Sequence, residues 1–185
     1  MFDLSKFSVP KDFRGKNPIV VQTWWFVHFF LFKMSPQIFN RWRVFLLRLF
    51  GANIGNNVII RPSVKITYPW KLTIGENSWI GDDAVLYTLG EILIGENTII
   101  SQRCYICTGS HDYDSLDFKI TAAPIIIGNS TWLATDVFVA PGVKIGDNCV
   151  IGARSSVFKD IESDSICLGS PAIKIRDKIR DKNQN

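Results

Sequence analysis

Two histidines and four cysteines are all that this chain of 185 residues holds, and Asp and Glu number only 17. Four cysteines do not make a disulfide framework, and a reducing cytoplasm is the default compartment for such a chain. No signal peptide is read at the start, where Asp3, Lys6, Pro10, Lys11 and Arg14 interrupt any apolar run. Charged residues make up 21% and hydrophobic ones 46%, a balance that excludes intrinsic disorder. The net charge of +4 is too small to mark a nucleic-acid binder, although clustered cations would favour an anionic ligand. Long hydrophobic runs are also missing. The most apolar stretch, IVVQTWWFVHFFLF at Ile19–Phe32, is 14 residues long and broken by Gln22, Thr23 and His28, whereas a spanning helix needs about 20 apolar residues.

What is present divides into an arm (residues 1–52), a repeat region (53–165) and a tail (166–185). In the arm, SPQIFNRWRVFLLRLFGA predicts a helix with Ser35 as N-cap, Pro36 in the first turn and Gly51 as the stop. Ile38, Trp42, Phe45, Leu46 and Leu49 share one face of that helix, and Asn40, Arg41 and Arg48 fall largely on the other. Two readings stand. The apolar face packs on the main domain or on a neighbouring subunit, or it lies in a membrane interface with Trp24, Trp25 and Trp42 at headgroup depth.

After residue 52 aliphatic residues recur every six positions: Ile54, Ile60, Ile66; Ile74, Ile80, Leu86; Ile94, Ile100, Ile106; Ile127, Leu133, Val139; Ile145, Ile151, Val157. Seven of the fifteen are followed directly by glycine. Four residues after each, the side chain is usually small or β-branched, as at Ser78, Ala84, Thr98, Cys104, Ser110, Thr131 and Ser155. Period six fits neither a helix nor a hairpin strand. It fits a short strand plus a turn, repeated, and therefore a parallel β-helix. Three hexads close one triangular coil, and five coils stacked at about 4.8 Å give a prism roughly 24 Å tall. Each inward aliphatic buries the one a coil earlier, which no coil could do alone. The register is interrupted by two residues after Ile66 and after Leu86, and far more between Ile106 and Ile127, where 21 residues replace six. A loop at about 109–124 therefore leaves the prism, and a loop of that length in a compact repeat is usually functional.

The repeats resemble the hexapeptide-repeat acyltransferases. TGSHDYDS at Thr108–Ser115, the stretch Pro124–Asp160 and GSPA at Gly169–Ala172 are similar to the maltose and galactoside acetyltransferase branch. DLSKFSVPKDFRGKN at 3–17, RPSVKITYPWKL at Arg61–Leu72 and WLATDVFVAPG are similar to acetyltransferases of colanic acid and related exopolysaccharide clusters. The crossover rule alone would make the coils right-handed; the resemblance implies left-handed ones. It also implies a homotrimer that takes acetyl-CoA as co-substrate, needs no metal, and acetylates a saccharide or lipid-linked sugar.

His111, at the start of the extruded loop, matches the family's catalytic histidine, a general base toward the acceptor hydroxyl. His28, in the aromatic arm, is read as a packing or interfacial histidine. Asp83 and Asp112 are the candidate acceptor contacts; Asp83 stands where relatives carry asparagine, and a corner role competes there. Solvation is the reading for Asp114 and Asp117. The resemblance places Trp132 and Thr135 beside the pantetheine and thioester, and Ala153, Arg154 and Lys159 along the donor groove, with Phe158 where relatives often have threonine. Lys144 and the basic tail (Lys174, Arg176, Lys178, Arg180, Lys182) could meet the donor phosphates, or form a solvated terminal helix or tail.

Competing motifs are weaker. Cys104 and Cys107 mimic a redox or zinc pair, but Cys104 sits on a small-residue position and no second pair follows. Carbonic anhydrases built on the same prism need three histidines, and the repeat region has one. A scaffold without activity would not require the His111 loop, and N-acetylation of an amino sugar on a nucleotide carrier is the remaining enzymatic alternative. The expected protein is an O-acetyltransferase of exopolysaccharide assembly, cytoplasmic, with residues 18–50 holding it near the inner membrane if the interfacial reading applies.

Overall fold

The computed structural model describes residues 2–179. Three parallel sheets form the walls of a prism. The first wall carries Asn53–Ile54, Leu72–Ile74, Ile92–Ile94, Ile125–Ile127 and Lys144–Ile145. The second carries Ile59–Ile60, Trp79–Ile80, Ile99–Ile100, Trp132–Leu133, Val150–Ile151 and Ser165–Leu168. The third carries Lys65–Ile66, Val85–Tyr87, Tyr105–Cys107, Phe138–Val139 and Ser156–Val157.

The six-residue register holds throughout. Ile54 pairs with Ile74 and Ile74 with Ile94, then Ile94 with Ile127 and Ile127 with Ile145. All fifteen repeat aliphatics are buried, so each wall turns a continuous apolar ladder inward. Beyond the five coils read from the sequence lies part of a sixth: Ile161 bridges to Ile145 and Cys167 pairs with Ile151. The small residues make a ladder of their own. Ser78, Thr98 and Thr131 donate to the carbonyls of Gly95, Gly128 and Gly146 in the following coil at 2.7, 2.7 and 2.9 Å. Ser110 does not belong to that set: the chain has already left the prism there, and its side chain is exposed.

Two corners recur with a left-handed backbone. Between the first and second walls it falls on Asn57, Asn77, Asn97, Ser130, Asn148 and Asp164; between the second and third, on Asp83, Arg103, Asp136 and Arg154. Asn and Asp tolerate that region better than other side chains with a Cβ. At Gly55, Gly75 and Gly95 a Cβ would meet backbone of the next coil at 2.6–2.7 Å, which is why glycine follows the aliphatic. The tail ends in a strand, Ile173–Asp177, antiparallel to Ser165–Leu168. That corrects the terminal helix: Lys174 and Arg176 lie on a strand. Arg180 and Lys182 lie outside the described residues.

The arm closes the open end of the prism. It comprises α1 (Pro18–Val27), a π-helical continuation (His28–Lys33) and α2 (Asn40–Leu49). Asn17 caps α1 through Val20 N at 3.0 Å, with Pro18 in the first turn. Within the prism, carbonyls of Ile74, Ser78, Ile80, Ala84 and Leu86 accept from backbone N–H groups of the preceding coil. Their first-coil counterparts are Ile54, Val58, Ile60, Val64 and Ile66, and no coil precedes them. Five arm side chains take its place: Arg48 donates to Ile54 O, Asn40 to Val58 O, Arg43 to Ile60 O, His28 to Val64 O and Trp24 to Ile66 O, all at 2.7–3.0 Å. An open sheet edge is thus paired without a strand.

This capping departs from the packing reading of that helix. α2 begins at Asn40, because Ser35 donates to Phe32 O at 2.6 Å and finishes the preceding helix. Its buried side chains are Arg43, Val44, Leu46 and Leu47, while Trp42, Phe45 and Leu49 are exposed and Ile38, before it, is 85% exposed. Asn40, Arg43 and Arg48 turn inward because the prism edge offers them carbonyls, while Arg41 stays exposed. Among the described residues no helix is long and apolar enough to cross a membrane.

Candidate active site

The chain leaves the third wall after Cys107 and returns to the first at Ile125, forming a hairpin from Gly109–His111 and Ile120–Ala122. Gly109 is where it crosses the prism surface: a Cβ there would meet Leu89 Cδ1 at 2.6 Å and Tyr87 Cε1 at 2.9 Å. His111 pairs with Ile120 and is half-buried. Its Nδ1 lies 3.0 Å from Phe118 O, and its ring stacks on the Phe118 ring with centroids 4.3 Å apart at 11°. A carbonyl only accepts, so Nδ1 carries the proton and Nε2 keeps its lone pair. Phe118 presents that carbonyl from a left-handed backbone, φ 48°. The N-terminal segment backs it: Asp3 N donates to Leu116 O at 2.7 Å, Phe2 contacts the Phe118 ring at 4.5 Å and Phe7 stands 5.9 Å from His111. Neither Phe118 nor this segment was legible as part of a site; a left-handed phenylalanine has no sequence signature.

The other candidates occupy different corners. Asp83, Thr135, Ala153 and Arg154 line the corner between the second and third walls, whereas His111 and Lys159 lie toward the corner between the third and first. One protomer therefore does not bring Asp83 to His111. Along the former corner charges alternate: Asp83, Arg103, Asp136, Arg154. Arg103 holds Asp136 at 2.7 and 2.8 Å, and that bond sets the Asp136 carboxyl below its usual range. Arg154 approaches Asp136 at 3.8 Å, and Thr135 Oγ1 donates to Gln102 O at 3.1 Å. Trp132 stands on the outside of the second wall, its indole N–H donating to Ser101 Oγ at 2.9 Å. Asp112 accepts from Asp114 N at 3.2 Å and so helps close the loop tip. Lys174 pairs with Asp177 at 2.7 Å, and Arg176 donates to Asp177 O at 3.2 Å.

Between the two corners, an aromatic row of Tyr87, Tyr105, Phe138 and Phe158 runs along the outside of the third wall with centroids 5.8–6.2 Å apart. Cys104 is buried, donates to Ala134 O at 3.0 Å, and has its thiol pushed up to about 11 by burial. All four cysteines are free. His28 is sandwiched by Trp24 and Phe32, and burial lowers its pKa.

A parallel β-helix with one histidine-bearing hairpin defines a class, the β-helical acyltransferases, and the comparisons agree. Residues 124–159 match the bacterial transferase hexapeptide (six repeats) family. The chain is 64% identical over 97% of its length, and 98% of the other, to the Escherichia coli K12 protein named "Putative colanic acid biosynthesis acetyltransferase WcaF". It is 31% identical to the galactoside O-acetyltransferase of that strain, over 76% of this chain and 70% of the relative. Among solved structures, a galactoside acetyltransferase in complex with coenzyme A superposes with a TM-score of 0.82 at 26% identity, covering 92% of this chain and 84% of that one. A maltose O-acetyltransferase from Clostridium difficile 630 gives 0.80 at 25% identity, with coverages of 89% and 90%. The chain belongs to the hexapeptide-repeat acetyltransferases, with the left-handed parallel β-helix of that family.

Proposed function

We propose that this acetyltransferase moves acetyl from acetyl-CoA to a hydroxyl of a saccharide during exopolysaccharide assembly, with His111 as general base. The observation that carries the reading is the His111–Phe118 pair: Nδ1 is engaged at 3.0 Å, so Nε2 is the nitrogen left to take a proton. As the acceptor hydroxyl loses its proton to Nε2, its oxygen attacks the thioester carbonyl. Collapse of the tetrahedral intermediate breaks the C–S bond, and the imidazolium returns the proton to the departing thiolate. Such a base contributes roughly 10²–10⁴ in rate. O-transfer is favoured over N-transfer because the curated sugar-modifying relative at 31% identity is an O-acetyltransferase.

The site is completed in a homotrimer. His111 and Lys159 of one protomer face Asp83, Trp132, Thr135, Ala153 and Arg154 of the next, which reconciles their separation within one chain; the half-exposed aromatic row on the third wall is the kind of surface a neighbour covers. Asp83 and Asp112 bind acceptor hydroxyls, while Lys174 and Arg176 lie toward the donor phosphates. The enzyme works in the cytoplasm against the inner leaflet, where a lipid-linked saccharide is presented, and the arm makes that contact.

The test is thiol release from acetyl-CoA in the presence of a panel of mono- and oligosaccharides. His111→Ala is expected to lower turnover at least 10²-fold while light scattering still reports the wild-type trimer. Near-normal turnover in that variant, or a monomer for the active wild-type enzyme, would refute the corresponding part of the reading.

A further inference from the structure

The arm's inward face is accounted for by capping, and its outward face is not. Trp25, Phe29, Phe30, Ile38, Trp42 and Phe45 are all exposed there. From residue 13 to residue 75 the chain has no Asp or Glu and nine Lys or Arg, so the rest of the molecule carries the acidic excess. Between α2 and the first coil lies an open cleft of about 700 Å³, lined by Asn40, Arg41, Phe45, Arg48, Asn56 and Asn57 among others. Arg48 binds the Ile54 and Gly55 carbonyls through Nε and Nη2, and its Nη1 makes no bond among the described residues. Arg41 is exposed and has no partner among the described residues. The cleft's amides are engaged, Asn40 with Val58 O, Asn57 with Asn77 Oδ1 and Asn56 with the Glu76 carboxylate at its edge. The donors it offers are therefore the Arg41 guanidinium and Arg48 Nη1, set beside an apolar platform with no carboxylate in the lining itself.

From this we infer that the capped end of the prism docks on an anionic lipid bilayer, with a headgroup phosphate in the Arg41–Arg48 cleft and the tryptophan and phenylalanine side chains at headgroup depth. Two guanidinium groups suit a phosphate, and aromatic side chains bordered by cations suit the interface of a bilayer. A second copy of this chain fits poorly, because two faces with a cationic excess would oppose like charges. The inference specifies the membrane contact proposed above and stands or falls with it; the acetyl transfer proposed there has a separate assay, so that reading and this one can fail independently.

Full-chain protein is mixed with vesicles of phosphatidylcholine alone or with phosphatidylglycerol added, and the bound fraction is measured by sedimentation and by tryptophan emission. Binding is expected only with phosphatidylglycerol, with a blue shift, and it should weaken as salt rises. Arg41→Gln should lower partitioning about fivefold, as expected for one cation at an anionic surface, and Phe45→Ser should lower it further, both with unchanged circular dichroism. Equal binding to both vesicle types would overturn the inference, as would no binding to phosphatidylglycerol at low salt. So would self-association of the trimer that Phe45→Ser abolishes, since that would make a second copy the occupant.

Discussion

Replacing Arg43 by methionine keeps much of the side chain's length and removes every donor. The guanidinium is 1% exposed and has no carboxylate partner among the described residues; it donates to Ile60 O at 2.7 Å, Ser35 Oγ and Pro36 O at 2.9 Å and Gln37 O at 2.8 Å. Ile60 O is the buried member of the set, and without Arg43 it faces the interior unpaired, at a cost of about 1–3 kcal/mol. The acceptors around Ser35–Gln37 are partly open to water, so their loss adds about 1 kcal/mol each at most. Against this, burying a cation is itself costly, and methionine removes that cost. A net destabilisation of about 2–4 kcal/mol follows, which for a chain of this size lowers Tm by roughly 5–12 °C. Thermal melts by circular dichroism should show it. Arg41→Met, two residues earlier on the same helix, should move Tm by less than the equivalent of about 0.5 kcal/mol, because Arg41 has no partner among the described residues. Arg43→Lys should restore only part of the loss, since one ammonium cannot reach four separated acceptors. Equal Tm for wild type and Arg43→Met, or equal losses for the two methionine variants, would refute the idea that arm side chains replace a missing coil.

Three further outcomes are expected. Burial depresses the His28 pKa below 6.5, so the folded state holds fewer protons there than the unfolded chain; the stability this confers is present above pH 6.5 and lost as pH falls through the lowered value. His28→Gln, which keeps a donor for Val64 O, should flatten denaturant midpoints over that acidic range, and an unchanged slope would count against the assignment. Phe118→Ala removes the ring stacked on His111 while keeping a Cβ at the same left-handed position; kcat should fall, by up to about 10²-fold, with the KM for acetyl-CoA little changed. A proportional rise in KM would show that Phe118 serves binding instead. Cys104, buried and with its thiol pushed up to about 11, should resist maleimide at neutral pH and react only after denaturation; rapid native labelling mapped to Cys104 would contradict its packing role.

The prism was legible because each of its rules is local. An aliphatic at every sixth position, a glycine where the next coil's backbone approaches within 2.6 Å and an Asn or Asp at a left-handed corner each leave a mark in the sequence. The same periodicity exposed the loop, since 21 residues in place of six cannot stay in a wall. The orientation of the arm was hidden for the opposite reason. Its helical pattern puts Trp42, Phe45 and Leu49 on one face, and the gain from burying apolar area turns such a face inward unless something polar claims the interior. Here the edge of the first coil does, and nothing near residues 40–48 announces that unpaired carbonyls lie in a coil up to 18 residues further on.

The candidate site divides in the same way. His111 and its loop follow from sequence alone, because composition leaves one histidine in the repeats and the register break places it outside the prism. The free nitrogen on that ring is set by a carbonyl seven residues further on, in a loop whose left-handed turn leaves no sequence signature, and the N-terminal residues behind it make contacts across more than a hundred residues of chain. The sequence by itself determined the column, because a repeat that stacks on its own copies needs only short-range chemistry. Only the tertiary structure decided which way the arm faces and how the imidazole is held: the arm is turned by carbonyls left unpaired at the edge of the first coil, and the imidazole is held by a carbonyl that a left-handed residue aims at it while the N-terminal segment packs behind.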